Sequence, residues 1–122
     1  TGVQTCALPI SLTQLTRDHS MVQDLVETGK ITADEAKNHP RKNIITRALG
    51  VDEEIKIDFC VEPLCGDDTL LICTDGLTNY VDIDEIRRIT ASGSFYEYAE
   101  SLVQKANENG GGDNVTVVAL SY

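Results

Sequence analysis

The chain has 122 residues, which is enough for one domain with a buried core and too few for two. Its 20 acidic residues outnumber its 10 basic ones, and a net charge of −10 argues against nucleic acid or an anionic membrane as the main partner. No apolar run reaches the roughly 18 residues of a membrane span, and the N-terminus lacks the pattern of a signal peptide. We therefore expect a cytoplasmic protein.

The N-terminal third contains an irregular start and two short helices. Residues 1–10, TGVQTCALPI, follow neither a strand nor a helix period, so we leave them unassigned and interpret them as foreign to the domain of residues 11–122. Apolar residues at helical spacing over residues 21–26 predict a first helix, which Gly29 ends. Thr32 and Glu35 have the spacing of a capping box and predict a second helix.

The middle of the chain predicts a β-hairpin. Residues 43–50, NIITRALG, fit either a strand or a helix. Apolar and polar residues alternate over residues 55–61, which predicts a strand with one buried face. A turn at residues 63–68 joins it to an apolar run at residues 70–73, so we expect these two strands to pair antiparallel.

That apolar run ends at an acidic turn. The continuous apolar character of residues 70–73 predicts a strand buried on both faces, and Thr74, Asp75 and Gly76 then break it. A carboxylate at the rim of a core must meet solvent, a hydrogen-bond donor or a cation, because burying it alone is costly. Gly76 lets the backbone turn sharply beside it.

Two amphipathic helices are expected in the C-terminal part. Asp82 and Glu85 have the spacing of a capping box for one, and Ser94 and Glu97 for the other, which Asn109 closes. Both boxes are interpreted as structural. Helices and strands in this order indicate an α+β layered domain, whose apolar sheet faces need more cover than this chain offers.

A second acidic stretch has the reverse layout. A glycine-rich loop carries Asp113 and Asn114 directly before residues 115–120, which have the β-branched character of a strand. If this strand and that of residues 70–73 are antiparallel neighbours, Asp113 and Asp75 lie at the same edge. Two close carboxylates repel unless a divalent cation lies between them, so we hypothesise a metal site. The plainer interpretation is that each motif is only a turn or a loop.

The cysteines favour no particular chemistry. None of the four forms a C-x-x-C pair, and two lie in predicted strands, so reduced, buried thiols are expected. They are Cys6, Cys60, Cys65 and Cys73. A zinc site is the alternative, drawing on Cys60, Cys65, His19 or His39.

Four blocks of the sequence resemble a known family, the metal-dependent Ser/Thr protein phosphatases of type 2C, or PPM family, in particular its small bacterial members. The blocks are LTRDHSMVQDLVETGKITADEA, HPRKNIITRALG, LLICTDGLTNYV and GGGDNVTVV, in the family's order and spacing. The resemblance implies part of an α-β-β-α sandwich of antiparallel sheets, with a metal pair at one end.

The resemblance also implies roles for individual residues. Asp75 resembles the metal-ligating Asp of the family's T-D-G motif, and Asp113 that of its G-x-x-D-N motif; both would ligate Mn²⁺ or Mg²⁺, of which the intact domain holds two or three ions. Asn114 would orient ligands or metal-bound water, while Thr74 and Gly76 shape the turn. No side chain of this chain is assigned as a catalyst.

The implied activity is hydrolysis of phosphoserine and phosphothreonine in proteins by a metal-activated water, opposing a bacterial Ser/Thr kinase. The segment from about 18 to 39, with Asp18, His19 and His39, resembles the flap that influences substrate access. The intact protein is expected to be a monomer.

The departures from the family pattern limit what this chain can do. It has no D-G-H-G-G motif, no early Arg and Glu-Asp motif, and no G-D-S-R motif before Leu12. Residues 11–122 are therefore interpreted as the C-terminal half of the domain, inactive alone. The alternative function is a non-catalytic divalent-cation-binding or phosphatase-like regulatory module.

Overall fold

The computed structural model describes residues 2–7 and 10–121 of the chain. Its elements in chain order are β1 (Gly2–Ala7), β2 (Ile10–Gln14), α1 (Met21–Glu27), α2 (Ala33–Lys37), β3 (Thr69–Cys73), α3 (Asp75–Thr78), α4 (Ile83–Ser92), α5 (Tyr98–Glu108) and β4 (Val117–Ser121). The chain divides into two compact units, residues 17–59 and the described residues on either side of them. No helix in the described ranges is both long and apolar enough to cross a bilayer.

One antiparallel sheet forms the centre of the larger unit. Its strand order is β2-β1-β3-β4, so β1 lies between β2 and β3. The sequence pattern predicts no element over residues 1–10, and the structure differs, because β1 is defined by antiparallel pairing with β2, the next strand along the chain, and with β3, which is distant along it. A foreign origin of residues 1–10 stays a prediction.

The three helices α3, α4 and α5 cover one face of this sheet. Leu71 and Cys73 of β3 point into the core, where they pack with Leu77 of α3, Ile86 of α4 and Leu102 of α5. All five are buried. Burial of each such side chain stabilises the fold by roughly 1.5–3 kcal/mol, so this cluster holds the helices on the sheet.

The opposite face of the sheet is apolar and open. Leu70 lies opposite Leu120, and Ile72 opposite Val118, in the pairing of β3 with β4. Ile72, Val118 and Leu120 each expose 46% of their surface. An apolar cleft of about 370 Å³ lies on this side, with Leu70 and Ile72 in its wall. The expectation that β3 is buried on both faces is therefore wrong at Ile72, because Leu15, Cys60 and Leu64, which also line the cleft, leave nearly half of this side chain exposed.

The predicted hairpin between residues 55–61 and β3 is also wrong. Residues 55–61 form no strand, and Ile57, Phe59 and Val61 are 68%, 88% and 95% exposed. The reason lies in the sheet order, because both edges of β3 are already paired, with β1 and with β4. An alternating sequence becomes a strand only where a neighbour offers free hydrogen-bonding groups.

The expectation of buried thiols holds for one described cysteine only. Cys73 is buried, whereas Cys60 and Cys65 are free and exposed. Cys60 is exposed because the strand predicted around it does not form. Within the ranges that the structure describes, no group of three or more His, Cys, Asp or Glu could hold a metal, so the zinc alternative finds no support there.

Both short N-terminal helices are confirmed, and so is the cap predicted for the second. The Ser20 hydroxyl accepts a hydrogen bond from the Gln23 amide at 3.3 Å at the start of α1. At the start of α2, the Thr32 amide donates to Glu35 Oε2 at 2.7 Å and the Glu35 amide donates to Thr32 Oγ1 at 3.2 Å. This is the predicted capping box.

The C-terminal helices are confirmed, but of the Asp82–Glu85 capping box only the Asp82 cap forms, and the Ser94–Glu97 box does not form. Asp82 Oδ1 accepts from the Glu85 amide at 2.9 Å and begins α4. Ser94 makes no side-chain cap; a 3₁₀ turn over Phe95–Glu97 precedes α5, closed by a backbone bond of 2.9 Å from the Glu97 amide to the Ser94 carbonyl. The backbone bond takes the place of the predicted capping box.

A network of charged side chains stabilises the smaller unit. Arg17 Nε lies 2.6 Å from Glu27 Oε1, and its Nη2 lies 2.7 Å from Asp24 Oδ1. His19 Nε2 and Arg47 Nη1 contact the two carboxylate oxygens of Asp58 at 2.7 and 3.2 Å. The hydrogen bond from Arg17 lowers the pKa of Glu27 from 4.5 to about 2.

This lowered pKa predicts an acid-sensitive contribution to stability. Because Glu27 has the lower pKa in the folded state, its contribution is complete above pH 4.5 and is lost as the pH falls towards 2. In denaturant unfolding, the difference in the free energy of unfolding between wild type and Glu27→Gln should be constant above pH 4.5. It should shrink as the pH falls from 4.5 towards 2. Glu53→Gln, at an exposed site, is the control. A difference that does not change with pH would contradict the prediction.

Candidate metal centre

The pairing of β3 with β4 places the two acidic motifs at one edge of the sheet. The strands are antiparallel, with Cys73 opposite Val117, so the end of β3 and the start of β4 lie together. The metal hypothesis required this arrangement of neighbouring strands. Asp75 follows β3 by two residues and Asp113 precedes β4 by four, and both side chains are exposed.

Thr74 joins the segments that carry the two carboxylates. Its amide donates to the Thr116 carbonyl at 3.1 Å, and its hydroxyl accepts from the Thr116 amide at 3.1 Å. The same hydroxyl lies 3.3 Å from the Asn114 carbonyl oxygen, to which it donates. The ladder between the strands is thereby extended beyond β4, up to the residue that follows Asp113.

Gly76 allows these segments to approach closely. It is buried, and a Cβ atom at its position would lie 2.0 Å from the carbonyl oxygen and 2.8 Å from the carbonyl carbon of Asn114. Any side chain would push the two backbones apart. The sequence analysis expected a sharp turn at this point, and the structure has a single helical turn, α3, with a 2.9 Å bond from the Asn79 amide to the Asp75 carbonyl.

The carboxylates suit a hard divalent cation. Asp113 Oδ1 accepts a 2.7 Å bond from the Asn114 amide, which orients the carboxylate. Carboxylate oxygens with room for water are the ligands that Mg²⁺ and Mn²⁺ favour. The carboxylates of Asp75 and Asp113, on two segments that approach closely at Gly76, therefore fit such an ion. In the part of the chain that the structure describes, no third acidic, His or Cys ligand completes the group, so the ligand roles of Asp75 and Asp113 stay predictions.

The predicted flap residues lie in the other unit, residues 17–59. His19 is half-buried against Asp58, and His39 Nδ1 accepts a 3.1 Å bond from the Arg41 amide. Asp18 is exposed, before α1. Both histidines thus have structural partners, and the influence of these three residues on substrate access stays a prediction.

The structure also draws attention to Tyr80, which the sequence analysis did not single out. Its ring lies against the glycines that precede Asp113. The sequence signal was the glycine triplet itself, because consecutive glycines often mark a close approach by another group. The sequence does not disclose which group approaches.

Curated relatives of the chain are bacterial phosphatases. The chain is 50% identical over 111 residues to the serine/threonine phosphatase Stp of Listeria welshimeri, which covers 90% of the chain and 44% of that protein. It is 46% identical over 109 residues to the protein phosphatase PhpP of Streptococcus pneumoniae, with 88% and 44% covered. The chain thus spans less than half the length of these relatives. No protein-family model matches it.

Solved structures show the same fold. The serine/threonine phosphatase PstP of Mycobacterium tuberculosis superposes with a TM-score of 0.89 at 36% identity, over 99% of this chain and 51% of that one. Stp1 of Staphylococcus aureus gives a TM-score of 0.85 at 34% identity, over 99% and 48%. The catalytic domain of PstP in complex with two manganese ions gives 0.81 at 36% identity, over 97% and 47%. The expected α+β architecture with antiparallel strands is confirmed.

Proposed function

We propose that this chain, which is homologous to bacterial Ser/Thr phosphatases of the PPM family, is part of a phosphatase domain that hydrolyses phosphoserine and phosphothreonine in proteins. The observation that carries the proposal is 50% identity to a named Ser/Thr phosphatase over 111 residues. The geometry supports it, because β3 and β4 bring the T-D-G and G-D-N motifs to one edge. Residues 11–122 would form the C-terminal half of that domain.

Asp75 and Asp113 would hold Mn²⁺ or Mg²⁺ in the intact protein. When bound, such ions supply a nucleophilic water at neutral pH and charge for the phosphoryl oxygens. The chain's own contribution is to orient the ligands. Thr74 joins the two backbones, Gly76 permits their close approach, and the Asn114 amide fixes the Asp113 carboxylate. A relative solved with two manganese ions supports this choice of metal.

The substrate would be a phosphorylated protein, made by a Ser/Thr kinase that the phosphatase opposes. The segment of about 18 to 39 would act as a flap, with Asp18, His19 and His39 affecting which substrates enter. We further propose that the intact protein acts in the cytoplasm as a monomer, with neither nucleic acid nor membrane as a partner. The chain's charge of −10 supports the last point.

The open apolar face of the sheet supports the interpretation that this chain alone does not cover both faces of its sheet. Ile72, Val118 and Leu120 are nearly half exposed, and the curated relatives are more than twice as long as the matched part. We propose that the rest of the domain supplies the second sheet of the sandwich over this face. Apolar surface of this kind is stabilising only when it is removed from water.

The chain by itself is therefore expected to be inactive. Two carboxylates cannot assemble a metal pair, so the purified 122-residue chain should show no Mn²⁺-dependent hydrolysis of p-nitrophenyl phosphate above background. The intact protein encoded by the gene is the positive control under the same conditions. Measurable Mn²⁺-dependent turnover by the chain would refute the prediction.

The second candidate function is a phosphatase-like module that binds divalent cations without catalysis. It is favoured because, among the residues that the structure describes, no third acidic, His or Cys ligand joins Asp75 and Asp113. The genomic sequence upstream of Leu12 distinguishes the two. Intact D-G-H-G-G and G-D-S-R motifs support the enzyme, and eroded motifs support the module.

A further inference from the structure

The ring of Tyr80 occupies the space beside the glycine loop that leads to Asp113. A Cβ atom at Gly110 would lie 3.2 Å from Tyr80 Cε1, and a Cβ atom at Gly112 would lie 2.2 Å from Tyr80 Oη and 3.2 Å from its Cζ. The ring is half-buried and packs against the hydrophobic core cluster. The loop therefore lies on a surface that the core itself holds in place.

The start of the same loop is bound to the same part of the chain. Asn109 Nδ2 donates to the Tyr80 carbonyl at 2.7 Å and to Glu85 Oε2 at 3.2 Å. Glu85 Oε1 is in turn 3.2 Å from Lys105 Nζ of α5. These bonds tie the end of α5 to the junction between α3 and α4, so the loop begins from a defined position.

The other end of the loop is held as well. Thr74 contacts the Asn114 carbonyl and the Thr116 amide, directly after Asp113. The backbone between Asn109 and Asn114 is thus fixed at both ends and supported along its length by the Tyr80 ring. A ligand held in this way loses little freedom when it binds a metal.

We propose that Tyr80 is a positioning residue for the metal centre, whose ring sets the position of the Gly110–Gly112 loop and with it the approach of Asp113 to a bound Mn²⁺. The proposal rests on the proposed function, in which Asp113 is a ligand. Tyr80 acts through the loop and contacts neither metal nor substrate. Carbon atoms of the ring, Cε1 and Cζ, each lie 3.2 Å from the position of a Cβ atom at Gly110 and Gly112, respectively, so the ring by itself fills the space beside the loop.

The test measures Mn²⁺ binding to the intact protein by isothermal titration calorimetry. Tyr80→Leu removes the ring and should weaken Mn²⁺ affinity about 10–100-fold, the usual cost of losing a group that supports a metal ligand. Tyr80→Phe keeps the ring and should bind within about threefold of wild type on the same scale. Tyr96→Leu, at a residue that is 90% exposed, is the matched control and should leave the affinity unchanged.

A double-mutant cycle tests the contact itself, and it decides the matter if Tyr80→Leu fails to fold. Gly112→Ala should weaken Mn²⁺ binding because its Cβ atom collides with Tyr80 Oη. In the Tyr80→Phe background the collision is removed and the nearest ring atom is Cζ at 3.2 Å, so the loss caused by alanine should be at least about twofold smaller. Equal losses in the two backgrounds would overturn the proposal.

The outcomes separate this proposal from the one on which it rests. If Asp113→Asn leaves Mn²⁺ affinity unchanged, the metal centre itself is misassigned. If Asp113→Asn weakens binding while Tyr80→Leu binds like wild type, the metal centre stands and the role of Tyr80 fails. A lower melting temperature of metal-free Tyr80→Leu with unchanged Mn²⁺ affinity would likewise overturn it, because the ring would then serve stability only.

Discussion

Replacing Asp75 or Asp113 with asparagine in the intact protein is expected to lower metal-dependent phosphatase activity by more than about 100-fold. Loss of a residue that only supports a metal ligand already lowers metal affinity or activity about 10–100-fold, and loss of a ligand should lower it more. Asparagine has nearly the same shape as aspartate and keeps an oxygen that can accept the Asn114 amide, so the loop geometry should survive. What is lost is the negative charge that balances the cation.

The measurement is kcat on a phosphopeptide at several Mn²⁺ concentrations, with Mn²⁺ affinity measured separately. Asp67→Asn is the matched control, because Asp67 is an exposed aspartate in the turn before β3, at the opposite end of the strand from Asp75. Its activity should equal that of wild type. Near-normal turnover of Asp75→Asn or Asp113→Asn would remove that residue from the metal centre.

Replacing Gly76 with alanine is expected to disrupt the same edge through the backbone. The new Cβ atom would lie 2.0 Å from the Asn114 carbonyl oxygen, and neither can rotate away, because the backbone fixes the position of a Cβ atom and the carbonyl belongs to the main chain. The β3–α3 turn and the Asp113–Asn114 segment must therefore separate. Overpacking of this kind costs about 1–3 kcal/mol of stability, and the two carboxylates would move apart.

Denaturant unfolding and Mn²⁺ titration of the intact protein would measure both effects of Gly76→Ala. Gly66→Ala makes the same chemical change in the turn before β3, where no atom lies within 4 Å of the added Cβ and the backbone is not left-handed. It should be close to neutral in both measurements. If Gly76→Ala behaved like Gly66→Ala, the close approach of the two segments would have no part in the site.

The elements that could be predicted from the sequence are those whose signals are local. The helices α1, α2 and α4 begin where a side chain caps the backbone three residues away, at Ser20, Thr32 and Asp82. Such contacts depend on the nearest neighbours along the chain and on little else. Ser94 shows the limit, since a backbone bond replaced its cap.

The strands were predicted less completely than the helices, since residues 70–73 and 115–120 are confirmed as β3 and β4 whereas the rest of the sheet differs from the prediction. Residues 55–61 have the alternation of a strand and lack a partner, whereas residues 2–7 lack a clear period and form β1 between two neighbours. A strand is completed by hydrogen bonds to partner strands, which can lie far away in sequence. Its own sequence pattern carries no information on whether such a partner is present. The spacing of apolar residues along the chain therefore could not predict the order of the strands in the sheet.

By itself the sequence determined the apolar strand that ends near Asp75, the loop that carries Asp113, and the helix α4 with its Asp82 cap between them, because each depends on the order of residues along a short stretch. Only the tertiary structure decided that β3 and β4 are neighbours, that Gly76 touches Asn114, and that Tyr80 lies under the glycine loop. These contacts join residues that are about 30 to 50 positions apart. The physical reason is that close packing selects one partner among many of similar chemistry, and that choice depends on the shape of the whole core.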